Sequence, residues 1–324
     1  RSTQSRSSAA SDVYKRQNVY MYVIIDIGSN TIRMAVYNIG NDKSFSQIMS
    51  NKISCGIAGY INDNEMSAEG VEVMIDALKQ FRIAVDGMSN VLVFAIATAS
   101  IRELKNKKEI VARIKDEVGF EVDVITGQDE ARYDYYGIMK DIGDATGMLT
   151  DCGGGSTEIS IFTGDEIIFA DTMPIGSLNA YHRHVAEIFP TKEELSSIKK
   201  ETEKLLLKLR IPKDVKASPG HVYAIGGTVR ATCKLANKLL DRSKSTATLS
   251  AREYDELFEL YFTNQRDFIR TLLKVKPERV QSLVTGMCIQ KTIMDKLGYD
   301  EITVSESGVR EGFLMKKLED LNNN

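Results

Sequence analysis

The sequence feature that most constrains the fold is a glycine-rich segment near the middle of the chain, Asp151-Cys-Gly-Gly-Gly-Ser-Thr-Glu158. An apolar run enters it from Met148, and a run that alternates apolar with polar residues leaves it from Ile159. This pattern predicts a strand, a tight turn and a second strand. Three glycines permit positive φ and remove side chains from the turn, so backbone N–H groups can converge on an anion. An ordinary glycine hairpin would carry the same residues.

The same pattern occurs a second time, near the start of the chain. The turn Asp26-Ile-Gly-Ser-Asn-Thr31 follows the apolar run Tyr22-Val-Ile-Ile25 and precedes Ile32-Arg-Met-Ala-Val36. A repeated supersecondary unit indicates related domains. We therefore predict an α/β protein of two similar domains, with sheets flanked by helices, in which each domain presents one phosphate-binding hairpin to a central cleft.

Charge and cysteine usage exclude several classes of partner. The net charge of −3 provides no bulk attraction for nucleic acid, so an anionic substrate must be held by local N–H groups, Arg, Lys and metal. The four cysteines are scattered without a CxxC pair, which predicts reduced thiols in a cytoplasmic protein. We interpret Cys152 as a small neutral side chain rather than a nucleophile, because no His is near it in sequence. No apolar stretch has the length of a bilayer span, so no membrane partner is expected.

The order of motifs predicts the domain organisation. Residues 1–20 are Ser-rich and without periodicity, and we expect an unstructured tag or gene-model scar there, with Met21 as the start. Domain I is predicted to comprise residues 21–126 plus about 306–324, and domain II residues 127–305. The crossover between them is expected at 141–147.

Local signals predict the remaining elements. A loop is expected at 51–64, with strands at 91–96, 121–125, 166–172, 221–225 and 302–304. Helices are predicted from Ser67, over 109–118 and 128–140, from about 174, from the capping boxes Thr191/Glu194 and Ser250/Glu253, from Pro277 to Gly298, and from about Val309. The N–H groups of the helix after Pro174 could face the cleft.

Three further groups of residues are candidates for the site. Strand 221–225 runs into Gly226-Gly-Thr228 and a helix, which is a third candidate anion site. Asp151 and Glu158 offer hard oxygen ligands for Mg²⁺, although Asp151 and Asp26 could instead cap turns. The arginines at strand ends and turns could be cleft residues or surface charges; they are Arg33, Arg102, Arg230 and Arg310. His182 and His184 lack a third ligand in spacing, so we expect them to face solvent rather than to bind zinc.

Six segments, in this order, resemble the exopolyphosphatase and guanosine pentaphosphate phosphohydrolase family of the acetate and sugar kinase, Hsp70 and actin superfamily. They are Asp26-Ile-Gly-Ser-Asn-Thr-Ile-Arg33, Ala97-Thr-Ala-Ser-Ile-Arg102, Gly127-Gln-Asp-Glu-Ala-Arg132, Asp151-Cys-Gly-Gly-Gly-Ser-Thr-Glu158, Ala224-Ile-Gly-Gly-Thr228 and Glu306-Ser-Gly-Val-Arg-Glu-Gly312. The chain departs from the family pattern at Asp129, where Glu is frequent, and at Cys152, where an aliphatic residue is usual. It is similar to the short, two-domain form of the family, without the C-terminal domains of longer members.

The resemblance implies two actin-like (ribonuclease H-like) α/β domains with mixed sheets, and Mg²⁺-dependent release of terminal orthophosphate from inorganic polyphosphate, with Mn²⁺ as a substitute. It implies that Glu130 is the catalytic base and that Arg102 neutralises charge on the phosphoryl group. The implied metal residues are Asp151, Glu158 and Asp26. The implied phosphate-binding residues are Gly28, Ser29, Asn30, Thr31, Arg33, Gly153, Gly154, Gly155, Ser156, Thr157, Gly226, Gly227 and Thr228. A cytoplasmic enzyme that can form a homodimer is also implied.

Alternative functions come from the same fold. Guanosine pentaphosphate has a 5′-triphosphate with the same terminal anhydride. A kinase would need an adenosine pocket, which Gly226-Gly-Thr228 permits, and an ATP-binding protein of the actin or Hsp70 type would need interaction surfaces. Glu130 favours a hydrolase, because water requires a base. Because the four candidate arginines would cover only a few phosphates, we predict a preference for short polyphosphates and limited processivity on long ones.

Overall fold

The computed structural model describes residues 21–40, 44–142, 146–212 and 221–323. The predicted N-terminal tag at 1–20 and the centre of the predicted crossover lie outside the described residues. The strands are β1 (Met21–Ile27), β2 (Thr31–Ile39), β3 (Phe45–Ser54), β4 (Ile61–Asn62), β5 (Glu65–Met66), β6 (Val91–Ala97), β7 (Val122–Val124), β8 (Thr146–Cys152), β9 (Thr157–Thr163), β10 (Glu166–Met173), β11 (His221–Ile225), β12 (Thr248–Ser250) and β13 (Glu301–Val304).

The helices lie between and after these strands in the chain. They are α1 (Ala68–Asp86), α2 (Ala99–Arg102), α3 (Lys107–Val118), α4 (Gly127–Ile142), α5 (Ser177–His184), α6 (Lys192–Lys208), α7 (Gly226–Leu239), α8 (Ala251–Thr263), α9 (Gln265–Val275), α10 (Leu283–Leu297) and α11 (Val309–Asn323), with short 3₁₀ helices at Ile57–Tyr60 and Pro277–Arg279. Several begin at the predicted caps: the Ser67 hydroxyl accepts from the Gly70 N–H, and the capping boxes at Thr191 and Ser250 are both formed. Capping satisfies N–H groups that the first helical turn leaves open.

Five strands of each of the two mixed sheets share one topology, and the second sheet has β12 as an additional edge strand. The first has the order β3-β2-β1-β6-β7, and the second has the order β10-β9-β8-β11-β13-β12. In each sheet three antiparallel strands come first in sequence, and the first of these three then pairs in parallel with a later strand. The small sheet β4–β5 is separate. The predicted α/β fold, with a repeated unit and mixed sheets flanked by helices, is therefore confirmed.

Helices α4 and α11 cross each other between the two sheets, and each packs against one of the sheets. The aromatic ring of Tyr135 on α4 packs with Phe162 of the second sheet, and Phe313 on α11 packs in one cluster with Ile24 of the first. A Cβ atom at Gly312 would lie 1.8 Å from the carbonyl oxygen of Tyr133. Only glycine permits this approach of backbone to backbone. The exact domain boundaries stay a prediction.

Two predicted elements are wrong. The expected loop at 51–64 contains the end of β3, a 3₁₀ turn and β4, the first strand of the small hairpin β4–β5. Strand β3 lies at a sheet edge and exposes most of its residues, so it lacks the apolar alternation that identifies a half-buried strand. The expected helix from Pro277 is also interrupted, because Pro277–Arg279 is a separate 3₁₀ turn and α10 begins at Leu283. That turn directs Arg279 towards Thr228 on α7.

Candidate active site

The two predicted hairpins have matching turns. The Gly28 N–H donates to the Thr31 carbonyl at 3.3 Å, and the Gly153 N–H donates to the Ser156 carbonyl at 3.0 Å. The strand registers place Asp26 opposite Arg33 in the first hairpin. In the second hairpin they place Asp151 opposite Glu158. Each hairpin therefore brings an aspartate and a second charged side chain to the same end of its sheet.

The glycines of the central turn allow close contact rather than unusual dihedral angles. The predicted positive φ is wrong for Gly153, Gly154 and Gly155, none of which adopts the left-handed region. A Cβ atom at Gly155 would instead lie 2.8 Å from Oγ of Ser29, and one at Gly154 would lie 3.0 Å from Cβ of Ser29. Larger residues would therefore push the two hairpins apart.

The N-terminus of α5 also packs on this turn. The N–H groups of Ser177 and Leu178 donate to the carbonyls of Gly153 and Gly154, at 2.8 and 2.9 Å. The expectation that these N–H groups face the cleft is therefore wrong, because the turn carbonyls already accept from them. This contact holds the central turn in place.

The third glycine segment gives space to two charged side chains. Gly226 has φ of +90°, and a Cβ atom there would lie 2.1 Å from Oδ1 of Asp151. A Cβ atom at Gly227 would lie 2.0 Å from Nη2 of Arg279. The glycines at the start of α7 thus let Asp151 and Arg279 reach the cleft.

Most of the predicted site residues line one cavity of about 140 Å³ between the hairpins, which we call the reaction cavity. They are Asp26, Gly28, Ser29, Asn30, Thr31, Arg33, Glu130, Asp151, Gly153, Gly154, Gly155, Ser156, Gly226 and Gly227. Arg230 and Arg310, which the sequence left as candidates, line it as well. Arg279 also lines it and was not predicted from the sequence. Its position depends on a hydrogen bond to Thr228, which is distant in sequence.

Four predicted residues lie behind the cavity wall. The Thr157 hydroxyl donates to the Ile175 carbonyl at 2.6 Å, and the Thr228 hydroxyl accepts from Arg279 at 3.0 Å. Glu158 is buried and accepts hydrogen bonds from Ser156 and Thr172, at 2.6 and 2.8 Å. Arg102 is the fourth of these residues.

The predicted base and arginine are in direct contact. Nη1 of Arg102 donates to Oε2 of Glu130 at 2.7 Å, and Nη2 of Arg102 lies 3.7 Å from Oε1 of Glu158. Burial raises the pKa of Glu130 well above its ordinary value, and the negative Glu158 adds to the rise, while Arg102 opposes it. A raised pKa makes the ionised carboxylate a stronger proton acceptor, as a general base requires.

Further buried carboxyl groups surround this pair. Burial raises the pKa of Asp151 to about 6, and burial together with the charge of Asp151 raises the pKa of Glu158 to about 7. Burial also raises the pKa of Asp26, against the opposing charges of Arg310 and Arg33. Asp134, one turn after Glu130 on α4, was missed; its buried carboxyl oxygens have no hydrogen-bond partner within the described chain.

The cavity presents buried polar atoms without partners. Among the described residues, Nδ2 of Asn30, Nη1 of Arg310 and Oδ1 of Asp151 are buried and make no hydrogen bond. An unsatisfied buried polar group is costly, so such groups indicate a binding partner or bound water. The two donors suit the oxygens of an anion. The aspartate oxygen suits a cation.

The carboxylates of the reaction cavity could bind Mg²⁺ only together with the phosphates of the substrate. No three His, Cys, Asp or Glu side chains in the part of the chain that the structure describes form a ready-made metal centre. Proteins commonly bind Mg²⁺ through one or two carboxylates together with substrate phosphates and waters. Asp151, with its unpartnered oxygen, fits that arrangement. The metal roles of Asp151, Glu158 and Asp26 stay predictions.

Two sheets that share a five-stranded topology, with one hairpin from each at a shared cleft, define the class of actin-like α/β proteins. The profile of the Ppx/GppA phosphatase family matches residues 35–321. The chain belongs to the Ppx/GppA phosphatase family, and the predicted resemblance is confirmed.

Known proteins match most of the chain's length. Exopolyphosphatase 1 of Mycobacterium tuberculosis and that of Mycobacterium bovis are each 22% identical over 304 residues, which cover 91% of this chain and 88% of theirs. The structure of an exopolyphosphatase from Cytophaga hutchinsonii has a TM-score of 0.81 at 23% identity and covers 93% of this chain and 98% of its own. The Aquifex aeolicus member of the Ppx/GppA family has a TM-score of 0.73 at 24% identity and covers 94% and 99%. None of the described helices is both long and apolar enough to cross a membrane.

Proposed function

We propose that the protein is an exopolyphosphatase that releases terminal orthophosphate from inorganic polyphosphate by Mg²⁺-dependent hydrolysis. The observation that most supports this proposal is the set of unpartnered atoms in the reaction cavity, with donors on Asn30 and Arg310 and an acceptor on Asp151. Together they suit a phosphoryl group and the cation that accompanies it. The name exopolyphosphatase, carried by the mycobacterial relatives, points the same way.

The size of the reaction cavity supports binding of one terminal phosphoryl group. Its volume is about 140 Å³, and a water molecule takes about 30 Å³ of liquid, so the cavity has room for a phosphoryl group with few waters. The backbone of the turns at Gly28–Thr31 and Gly153–Ser156 and the guanidinium groups of Arg33, Arg279 and Arg310 would surround that group.

A second cavity of about 130 Å³ supports a linear polyanion as substrate. It shares Thr31, Arg33, Gly227, Arg230, Arg279 and Glu306 with the reaction cavity, and we call it the basic mouth. Lys52, Lys234 and Lys276 add further positive charge there. Glu278 pairs with Lys52 and lies 3.7 Å from Lys276. These lysines extend the positive surface beyond the four arginines considered from the sequence, and they would hold the phosphates next to the terminal one.

The chemistry follows from the position of Glu130. Glu130 takes a proton from a water molecule, whose oxygen forms a bond to the terminal phosphorus. The bond from that phosphorus to the bridging oxygen breaks, and its electron pair stays on the shortened chain. Arg102 holds the carboxylate of Glu130 in place and favours its ionised form. When bound at Asp151, Mg²⁺ would neutralise charge on the phosphate oxygens.

The test is a comparison of substrates. Phosphate release is measured with long polyphosphate, tripolyphosphate, guanosine pentaphosphate and ATP, each with Mg²⁺ and with EDTA. We expect Mg²⁺-dependent release from both polyphosphates at a higher kcat/KM than from either nucleotide. Release from guanosine pentaphosphate alone would assign the alternative phosphohydrolase activity. Hydrolysis of ATP alone would indicate an ATPase or kinase. The homodimer and the cytoplasmic location stay predictions.

A further inference from the structure

The reaction cavity adjoins a third cavity that the proposed function does not use. This rear cavity has a volume of about 890 Å³. It shares Ser29, Ala99, Gly155 and Ser156 with the reaction cavity. None of these four residues lines the basic mouth. The reaction cavity therefore has two different ends, one towards the basic mouth and one towards the rear cavity.

The catalytic pair lies at the rear end. Glu130 lines the reaction cavity, whereas Arg102, which donates to Glu130 at 2.7 Å, lines the rear cavity. Ala99 and Arg102 belong to the same short helix, α2. The ion pair between Arg102 and Glu130 thus spans the partition between the two cavities.

The partition is thin at the central turn. A Cβ atom at Gly155 would lie 2.8 Å from Oγ of Ser29 and 3.2 Å from Cβ of Ala99. The backbone of one hairpin therefore rests directly on side chains of the other domain. Gly155, Ser29 and Ala99 thus belong to the wall that the two cavities share.

The geometry of phosphoryl transfer gives the two ends different roles. In an in-line displacement, the attacking water and the leaving oxygen lie on opposite sides of the phosphorus. If the polyphosphate chain extends into the basic mouth, the water lies on the side of Glu130. The remaining chain then blocks the mouth while orthophosphate is still in the reaction cavity.

We propose that the rear cavity is the route by which orthophosphate leaves and water enters; this inference rests on the proposed function. Arg102 and Arg183 line it together with three acids, Asp63, Glu103 and Glu201, so an anion that passes through would meet cations but no net positive charge. The two arginines also pair with acids, Arg102 with Glu103 and Arg183 with Glu201, both at 3.0 Å. Cations that are already partly neutralised would hold orthophosphate weakly, as an exit requires.

The experiment blocks the rear cavity without changing the catalytic residues. His182 is exposed and, of the three cavities, lines only the rear cavity. It lies close to Gly59 in the 3₁₀ helix Ile57–Tyr60. In a Cys55→Ser background, His182→Cys is measured before and after modification with a bulky maleimide. The matched control is Ile83→Cys on α1, whose side chain is 74% exposed and lines none of the three cavities.

The readout is rapid-quench formation of phosphate followed by the steady state, on long polyphosphate and on tripolyphosphate. We expect the modified His182→Cys protein to form the first phosphate at the unmodified rate and then to turn over about tenfold more slowly, since product release becomes limiting. The loss of steady-state turnover should be smaller on tripolyphosphate, because its short product can leave the basic mouth open. The unmodified variant and the modified control should show neither effect.

Two outcomes would overturn the inference alone. One is unchanged steady-state turnover of long polyphosphate after modification. The other is an equal loss of the first turnover and of the steady state, because such a loss would place the damage on the chemistry rather than on release. If the unmodified protein released no phosphate from either polyphosphate, the proposed function itself would fail, and that result is distinguishable from both.

Discussion

At the scale of residues, the proposed hydrolysis requires Glu130 as the base. Glu130→Gln keeps the size of the side chain but cannot take a proton, so phosphate release should fall by roughly 10²- to 10⁴-fold while polyphosphate binding persists. Steady-state kinetics and a binding titration measure the two properties. The matched control is Glu103→Gln, because Glu103 also pairs with Arg102 but is well exposed. Equal rates in Glu130→Gln and in the unchanged protein would remove Glu130 from the mechanism.

The metal role of Asp151 is a second prediction for a single residue. Asp151→Asn keeps the shape of the side chain but removes its negative charge, so the side chain binds a cation less well. Among the described residues, Asp151 has the only buried carboxylate oxygen in the reaction cavity that makes no hydrogen bond. The Mg²⁺ concentration needed for half-maximal activity should rise by about 10- to 100-fold. Mn²⁺ binding, followed by electron paramagnetic resonance, should weaken in parallel. Asp165→Asn in the turn between β9 and β10 is the control. Unchanged metal titrations in Asp151→Asn would contradict the assignment.

Site residues whose positions are determined by neighbouring residues in the chain could be predicted from the sequence. Asp26, Asp151 and the glycine turns follow apolar strands directly, so their place at the end of a sheet could be predicted. Arg279 and Asp134 could not be predicted, because residues distant in sequence determine their positions: Arg279 reaches Thr228, and Asp134 lies among buried acids. The glycine turn was located correctly, but its close contact with Ser29 depends on the first hairpin, which is distant in sequence.

At the scale of elements, the crossing of α4 and α11 should be sensitive to a single methyl group. A Cβ atom at Gly312 would approach the carbonyl oxygen of Tyr133 to 1.8 Å. Gly312→Ala should therefore lower the free energy of unfolding by at least about 1–3 kcal/mol, the usual cost of overpacking. Urea unfolding measures this change. Gly87→Ala is the control, because a Cβ atom there would meet its nearest neighbour at an ordinary 3.5 Å. Equal stability of the two variants would exclude a close helix crossing.

Helices with strong caps were predicted well, and irregular elements were not. Ser67, Thr191 and Ser250 mark helix starts through hydrogen bonds to residues three positions later, which a sequence displays directly. Strand β3 has no such signal, because an edge strand with few buried residues shows no apolar period. The separate turn at Pro277–Arg279 places Glu278 against Lys52 and Arg279 against Thr228, and both partners are distant in sequence.

At the scale of the whole molecule, the buried acids make stability depend on pH when Mg²⁺ is absent. Burial raises the pKa of Glu158 from 4.5 to about 7 in the folded protein. Between these values the unfolded chain is ionised while the folded carboxyl keeps its proton, so stability falls as pH rises from about 4.5 to 7. The contribution of Glu158 to this fall is roughly 3 kcal/mol.

Glu158→Gln tests this dependence, because it removes the titrating group and keeps the side-chain size. Chemical unfolding in EDTA at several pH values should give a flatter profile for this variant than for the unchanged protein. The same slope in both proteins would show that Glu158 does not titrate in this range. Glu187→Gln, an exposed acid outside the three cavities, is the control.

The central claim is that the cleft removes phosphate from the end of a polyphosphate chain. The most direct measurement is the size distribution of a long polyphosphate during Mg²⁺-dependent digestion, together with the amount of orthophosphate released. We predict that orthophosphate is the only small product and that the whole population shortens gradually, since the basic mouth holds only a few phosphates. Early appearance of mid-length fragments with little orthophosphate would show internal cleavage and contradict the account. Full-length chains that persist beside orthophosphate, with no chains of intermediate length, would contradict a basic mouth that holds only a few phosphates.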